Sequence, residues 1–160
     1  MKPRIYIETT IPSYLAAWPS RDLLRVAHQQ VTREWWARRD EFELYTSRLV
    51  VQECRAGDPI AAADRLAILE GIPVLELSAE AADLSQAIIA GARLPATAEA
   101  DAVHIAIAAI RGLDYLLTWN CNHIANGTLR PKIESACRAA GYEPPLICTP
   151  VSLLGGGDDV

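Results

Sequence analysis

Three features of the chain predict a single α/β domain built on a mainly parallel sheet. Short apolar runs with strand character alternate with longer helical runs. The strand-like runs hold few polar positions, and turn residues or helix caps separate most neighbours. Strands that are apolar on both sides must be covered on both sides, which is the situation of a parallel sheet between helical layers. With 160 residues, 51% of them hydrophobic, the chain can fill one core and is short for two.

The elements follow in order. Arg4 to Ile7 alternates and carries β-branched residues, so it reads as the first strand. It is closed by Glu8-Thr9-Thr10 and by Pro12, a residue suited to the first turn of a helix. A helix follows from about Arg21 to Arg39, with Ser20 as its N-cap. Phe42 to Tyr45 is the second strand, and Ser47 caps a helix that runs to about Arg55. Asp58-Pro59 opens an Ala-rich helix to Glu70, Gly71 ends it, and Ile72 to Leu77 is the third strand. Ser78 caps a helix over 79–92, and Gly91 with Pro95 breaks the chain. Thr97 begins a helix apolar nearly all round, at Ala102, Val103 and 105–110, and such a helix is buried. Gly112 stops it. Tyr115 to Trp119 is the fourth strand, Leu129 to Ala140 the last long helix, and Leu146 to Cys148 a short final strand. The expected organisation is one domain over 1–150 and a mobile tail over 151–160, whose Gly155-Gly156-Gly157-Asp158-Asp159-Val160 lacks core-forming residues.

Composition excludes several classes. No apolar run approaches the roughly 18 residues needed to span a bilayer, and Met1 to Tyr6 passes directly into a strand without a signal peptide, so a cytoplasmic protein away from membranes is expected. Cys54, Cys121, Cys137 and Cys148 form no CxxC pair and no zinc-spaced cluster; free, mostly buried thiols are expected. The formal net charge of -5 argues against general coating of nucleic acid. Its distribution is uneven: residues 1–55 carry 9 Lys/Arg against 7 Asp/Glu, the remainder 6 against 13. Arg21, Arg25, Arg33, Arg38 and Arg39 fall along one helix, as a solvated face or as a phosphate-contacting stripe.

Four positions carry candidate chemistry. Glu8 follows the first strand and Asn120 the fourth, at the strand ends where open parallel sheets bind ligands. Asp101 lies in the first turn of the buried helix, and Glu53 near the end of the helix after strand two. A fold that gathers such carboxylates does so against Coulomb repulsion unless a cation lies between them. Each residue also has a plain reading: Asp101 as a compensator of the helix dipole, Glu53 as an exposed helix residue, Glu8 as a cap, Asn120 as a turn former. An unpaired carboxylate on so apolar a helix as Asp101's would be costly. His104 lies three residues on, on nearly the same helix face. It reads as a satisfied core residue or as a group that orients Asp101 or touches substrate. His123 near the fourth strand reads equally as a turn residue or a site residue. Trp35 and Trp36 are adjacent and cannot both face one core, so one is expected at a dimer or partner surface. Trp119 reads as the continuation of a buried strand.

The order Ile5-Tyr6-Ile7-Glu8-Thr9-Thr10-Ile11-Pro12-Ser13-Tyr14-Leu15, a helical Glu53, Asp101-Ala102-Val103-His104-Ile105-Ala106-Ile107-Ala108 and Leu116-Leu117-Thr118-Trp119-Asn120 resembles the PIN-domain family over roughly residues 4–150. It is most similar to the VapC-like ribonucleases of toxin–antitoxin pairs. The resemblance implies a three-layer α/β/α sandwich around a five-stranded, mainly parallel sheet. It further implies a metal-dependent endoribonuclease with Glu8, Glu53, Asp101 and Asn120 as catalytic and metal-binding residues, Mg²⁺ or Mn²⁺ as cofactor, and Thr9, Thr118 and His104 as supporting or substrate-contacting groups. RNA is the implied substrate, with an antitoxin protein and a second copy of the chain as partners. Two positions depart from the family's usual aspartates. Glu8 adds a methylene, and Asn120 keeps an oxygen donor but removes a negative charge. A catalytically weakened fold acting as an RNA- or protein-binding module is therefore the alternative. A nucleotide-binding or receiver domain lacks support, because no Gly-rich loop follows the first strand.

Overall fold

The computed structural model describes residues 1–120 and 126–155. Its centre is a five-stranded sheet in the order β3-β2-β1-β4-β5, formed by β1 (Arg4–Ile7), β2 (Glu43–Ser47), β3 (Val74–Leu75), β4 (Tyr115–Leu117) and β5 (Leu146–Cys148). Every pairing is parallel. Helices α1 (Thr10–Ala16), α2 (Leu23–Ala37), α3 (Arg48–Cys54), α4 (Pro59–Leu69), α5 (Ala79–Ala92), α6 (Glu99–Ile110), α7 (Arg130–Ala139) and α8 (Pro150–Leu154) make the crossovers and flank the sheet. This is the α/β architecture that the alternation of the sequence predicts.

Apolarity on both faces is what buries β1 and β4 at the middle of the sheet. Ile5, Tyr6, Ile7, Leu116 and Leu117 have no exposed surface, and α6 contributes Ala102, Ile105, Ala106, Ile107, Ala108 and Ala109 to the same core. The chain runs outward from β1 to β2 and β3, then returns through α5 and α6 to β4 on the other side of β1. The order thus reverses between β1 and β4, and their carboxyl ends open a crevice.

Several expected boundaries shift for local reasons. α2 begins after Asp22, not Ser20. The Asp22 carboxylate accepts from the backbone N–H groups of Leu24 and Arg25, while the Ser20 hydroxyl accepts from Asp22 N one turn earlier. Pro12 lies inside the first turn of α1, which starts two residues before it. The third strand, expected over Ile72 to Leu77, contracts to Val74–Leu75. It lies at the sheet edge, Pro73 offers only its carbonyl (to Thr46 N at 3.0 Å), and Leu77 turns toward solvent. The helix expected from Thr97 is a 3-10 turn over Ala96–Ala98 that leads into α6 at Glu99.

Gly91 does not break the chain. It lies inside α5, where an added Cβ would stand 3.0 Å from the Ala136 Cβ, so glycine lets α5 and α7 approach. The helix instead stops at Arg93, whose φ of 53° is left-handed. The domain extends past residue 150: Pro150 starts α8, and Leu153 and Leu154 pack on the core, α8 meeting α2. The expected mobile tail therefore loses 151–154; residues 156–160 lie outside the described residues.

Trp35 is fully buried, while Trp36 is partly covered by the Arg39 guanidinium, 4.6 Å from its ring centroid. The strongly exposed tryptophan is Trp18, at 90%. Trp119 does not extend β4. It lies beyond it, donating Nε1–H to Thr32 Oγ1 at 2.8 Å and stacking on His28 at 4.0 Å. Cys54, Cys137 and Cys148 are free and buried, and burial pushes each thiol up to about 11. Cys121 and His123 lie outside the described residues. No helix among the described residues is long and apolar enough to cross a membrane.

Candidate active site

Register places the first two site residues. Ile7 pairs with Leu117, so Glu8 and Thr118 emerge side by side at the carboxyl ends of β1 and β4. Glu8 N donates to Leu117 O at 3.2 Å, and Thr118 Oγ1 donates to Glu8 Oε2 at 2.7 Å. The same oxygen accepts from Thr10 N at 3.0 Å and Thr10 Oγ1 at 2.6 Å. Glu8, only 5% exposed, is thus a buried acid with one oxygen held by three donors. Thr10 Oγ1 also accepts from Trp119 N at 2.8 Å, and Thr118 Oγ1 from Asn120 N at 2.9 Å, which ties the first turn after β1 to the first turn after β4.

Asp101, the third residue of α6, meets this edge through Asn120, whose Nδ2 donates to Asp101 Oδ1 at 3.0 Å. The amide thus sets the positive end of its dipole against a half-buried carboxylate.

Glu53 arrives from α3. Ser47, the last residue of β2, caps α3 by accepting from Val50 N, and the short helix carries Glu53 back toward the end of β1. There Thr9 Oγ1 donates to Glu53 Oε1 at 2.7 Å, and His104 Nε2 lies 2.8 Å from the same oxygen. Burial pushes the Glu53 carboxyl up. The hydrogen bond from His104, the ring's charge when it is protonated and the Thr9 bond outweigh that push, and hold the carboxyl below its ordinary 4.5.

His104 therefore serves Glu53; it neither orients Asp101 nor faces open substrate space. It is 1% exposed, and its Nδ1 lies 2.6 Å from the Tyr6 hydroxyl, which lies 2.6 Å from Ser47 Oγ. Sequence reasoning passed over Tyr6, Ser47 as more than a cap, and Thr10. The available signals were a tyrosine between two isoleucines on the first strand, and a pair of hydroxyls directly after the first acid.

Among the described residues no group of three or more His, Cys, Asp or Glu side chains is gathered as a metal cage. Glu8, Glu53 and Asp101 share one edge but hold separate hydrogen-bond partners. The donor chemistry is all oxygen, as a hard cation requires, and Mg²⁺ is commonly bound by one or two carboxylates together with water and substrate phosphate. Residues of this kind fit such a cation.

No family model and no curated protein matches the sequence. Solved structures do match. VapBC2 from Rickettsia felis, bound to a DNA fragment from its promoter, aligns with TM-score 0.60 and 12% identity over 91% of this chain and 98% of that one. FitAB bound to a DNA fragment aligns with TM-score 0.58 and 15% identity, over 91% and 94%. VapC20 from Mycobacterium tuberculosis, a sarcin-ricin loop cleaving toxin, aligns with TM-score 0.55 and 20% identity, over 77% and 95%. The chain has their PIN-like fold. The sheet order and its crevice between β1 and β4 belong to that shared fold, whereas the Glu8–Thr10–Thr118 and Glu53–His104–Tyr6 contacts are read from this chain alone.

Proposed function

We propose that this protein is a metal-dependent endoribonuclease that cuts RNA phosphodiesters, the toxin of a toxin–antitoxin pair. The observation that supports the reading is the chain of contacts along the edge where β1 and β4 end, from Glu8 through Thr118 and Asn120 to Asp101, with Glu53 held by the neighbouring Thr9, in a fold shared with an RNA-cleaving toxin. Glu8 and Asp101 are the residues that would hold Mg²⁺ or Mn²⁺, with Asn120 beside them. When bound, the cation lowers the pKa of a water and neutralises charge developing on the scissile phosphate. Glu53, with Oε1 occupied by Thr9 and His104, offers Oε2 to orient the attacking water. Thr10 and Thr118 fix Glu8, and their hydroxyls keep its carboxylate in one rotamer.

The partners proposed are an antitoxin and a second copy of the chain. Trp18 and, at the start of α2, Leu23 and Leu24 expose 90%, 88% and 65% of their surface, large apolar side chains of the kind partner chains cover. The neighbours VapBC2 and FitAB were solved bound to DNA fragments. A second reading rests on one contact: the Asn120 amide already answers the Asp101 charge, as in a fold kept for RNA or protein binding after catalysis has weakened.

Mixed RNA incubated in Mg²⁺ or Mn²⁺ and in EDTA separates these readings. The nuclease yields cuts only with metal, leaving 5′-phosphate and 3′-hydroxyl ends. RNA retained on the protein but left intact under every condition favours the binding module. Cuts that persist in EDTA contradict metal dependence.

A further inference from the structure

A chain of polar groups runs from the core of the sheet to Glu53, and all but its last link is buried. Ser47, Tyr6 and His104 are 0%, 0% and 1% exposed, and the links are 2.6, 2.6 and 2.8 Å long. Hydrogen-bond accounting sets its direction. Ser47 Oγ accepts from Val50 N at 3.2 Å and still holds one proton and a second lone pair to share with Tyr6 Oη. A neutral ring that donates from Nε2 to the Glu53 carboxylate offers Nδ1 as an acceptor, so the Tyr6 hydroxyl gives its proton to Nδ1 and takes the one from Ser47. The ring proton then sits on Nε2 and is donated to Glu53 Oε1, an acceptor only. Run backwards, the chain would protonate both ring nitrogens in a buried pocket and leave the Ser47 hydroxyl hydrogen without an acceptor within the chain.

We propose that Ser47, Tyr6 and His104 are positioning residues that lock the imidazole as its Nε2–H tautomer and thereby fix the Glu53 carboxylate, leaving Oε2 turned to the reacting water. The role in catalysis rests on the nuclease reading; the tautomer does not. Three segments distant in sequence meet in this chain: β1 gives Tyr6, the β2–α3 junction gives Ser47 and Glu53, and α6 gives His104. The relay thus makes the placement of one catalytic oxygen depend on the packing of the sheet centre rather than on the mobility of a helix end.

The test joins a spectrum to kinetics. ¹⁵N NMR of the imidazoles in the wild-type chain is expected to show His104 with a protonated Nε2 and an unprotonated Nδ1 at neutral pH. Tyr6→Phe removes the donor to Nδ1. It is expected to erase the tautomer preference and to lower kcat roughly 10–100-fold at unchanged KM, the usual cost of losing a group that orients a site ligand. Ser47→Ala, which removes the hydroxyl at the far end of the chain and leaves Tyr6 in place, is expected to move the spectrum and the rate in the same direction by a smaller amount, and decides the question where Tyr6→Phe fails to fold. A wild-type proton on Nδ1 overturns the proposal, as does folded Tyr6→Phe with the wild-type tautomer and rate. Absence of cleavage by the wild-type chain counts against the nuclease reading, and the tautomer spectrum then decides the relay by itself.

Discussion

Glu53 is supported from two other segments, by a threonine one residue past Glu8 and by a histidine on another helix. Its lowered pKa has a definite sign in stability. The contribution is fully present above the ordinary value of 4.5 and is lost as the pH falls below that value through the folded one. In melting curves from pH 7 down to pH 3, the wild-type chain is expected to lead Glu53→Gln at neutral pH. That lead should close in acid; a constant gap at every pH would show that the carboxylate's charge is not what the pocket favours. Glu8, Asp101 and Asn120 were legible as candidates for one sheet edge because each stands at the end of a recognisable strand or at the start of a helix. The wiring between them was not, since residues such as Tyr6 and His104 read as core until a structure shows that Tyr6 lies beside Ser47 from the neighbouring strand and His104 beside Glu53 from α3.

Caps and strands were readable wherever a local rule governed them. Ser47, Asp58 and Ser78 each accept from the first turn of the helix they precede, as their sequence context predicts. Gly91 defeated the same approach. Propensity alone makes it a helix breaker and predicts a stop, whereas its role is set by Ala136, 45 positions further along and visible only in the packing of α7. Gly91→Val should therefore push α5 from α7 and destabilise the protein by about 1–3 kcal/mol. Gly91→Ala should lie nearer neutral, because its helix-propensity gain of about 0.5–1 kcal/mol offsets the tight contact. Denaturant unfolding of the two variants checks this, and equal stability of Gly91→Val and wild type would refute the close approach.

At the scale of the whole molecule, the alternation of apolar strands and helices was enough to predict a parallel sheet, and the sheet order then created the crevice at β1 and β4. The closing of the domain was less legible, because α8 is only Pro150–Leu154 and its reason for folding is the surface of α2 that it meets. Truncation after Thr149 removes the packing of Leu153 and Leu154 and is expected to cost about 2 kcal/mol or more, read as a lower melting temperature. An unchanged melting temperature would mean that α8 adds nothing to the fold. The central claim is that the β1–β4 edge is a hydrolytic site, and one comparison tests it most directly: RNA cleavage rates of wild type and Asp101→Asn, side by side in Mn²⁺. A loss on the order of 100-fold or more is expected in a variant that melts like the wild type. Equal rates in the two proteins would place the chemistry elsewhere or nowhere in this chain.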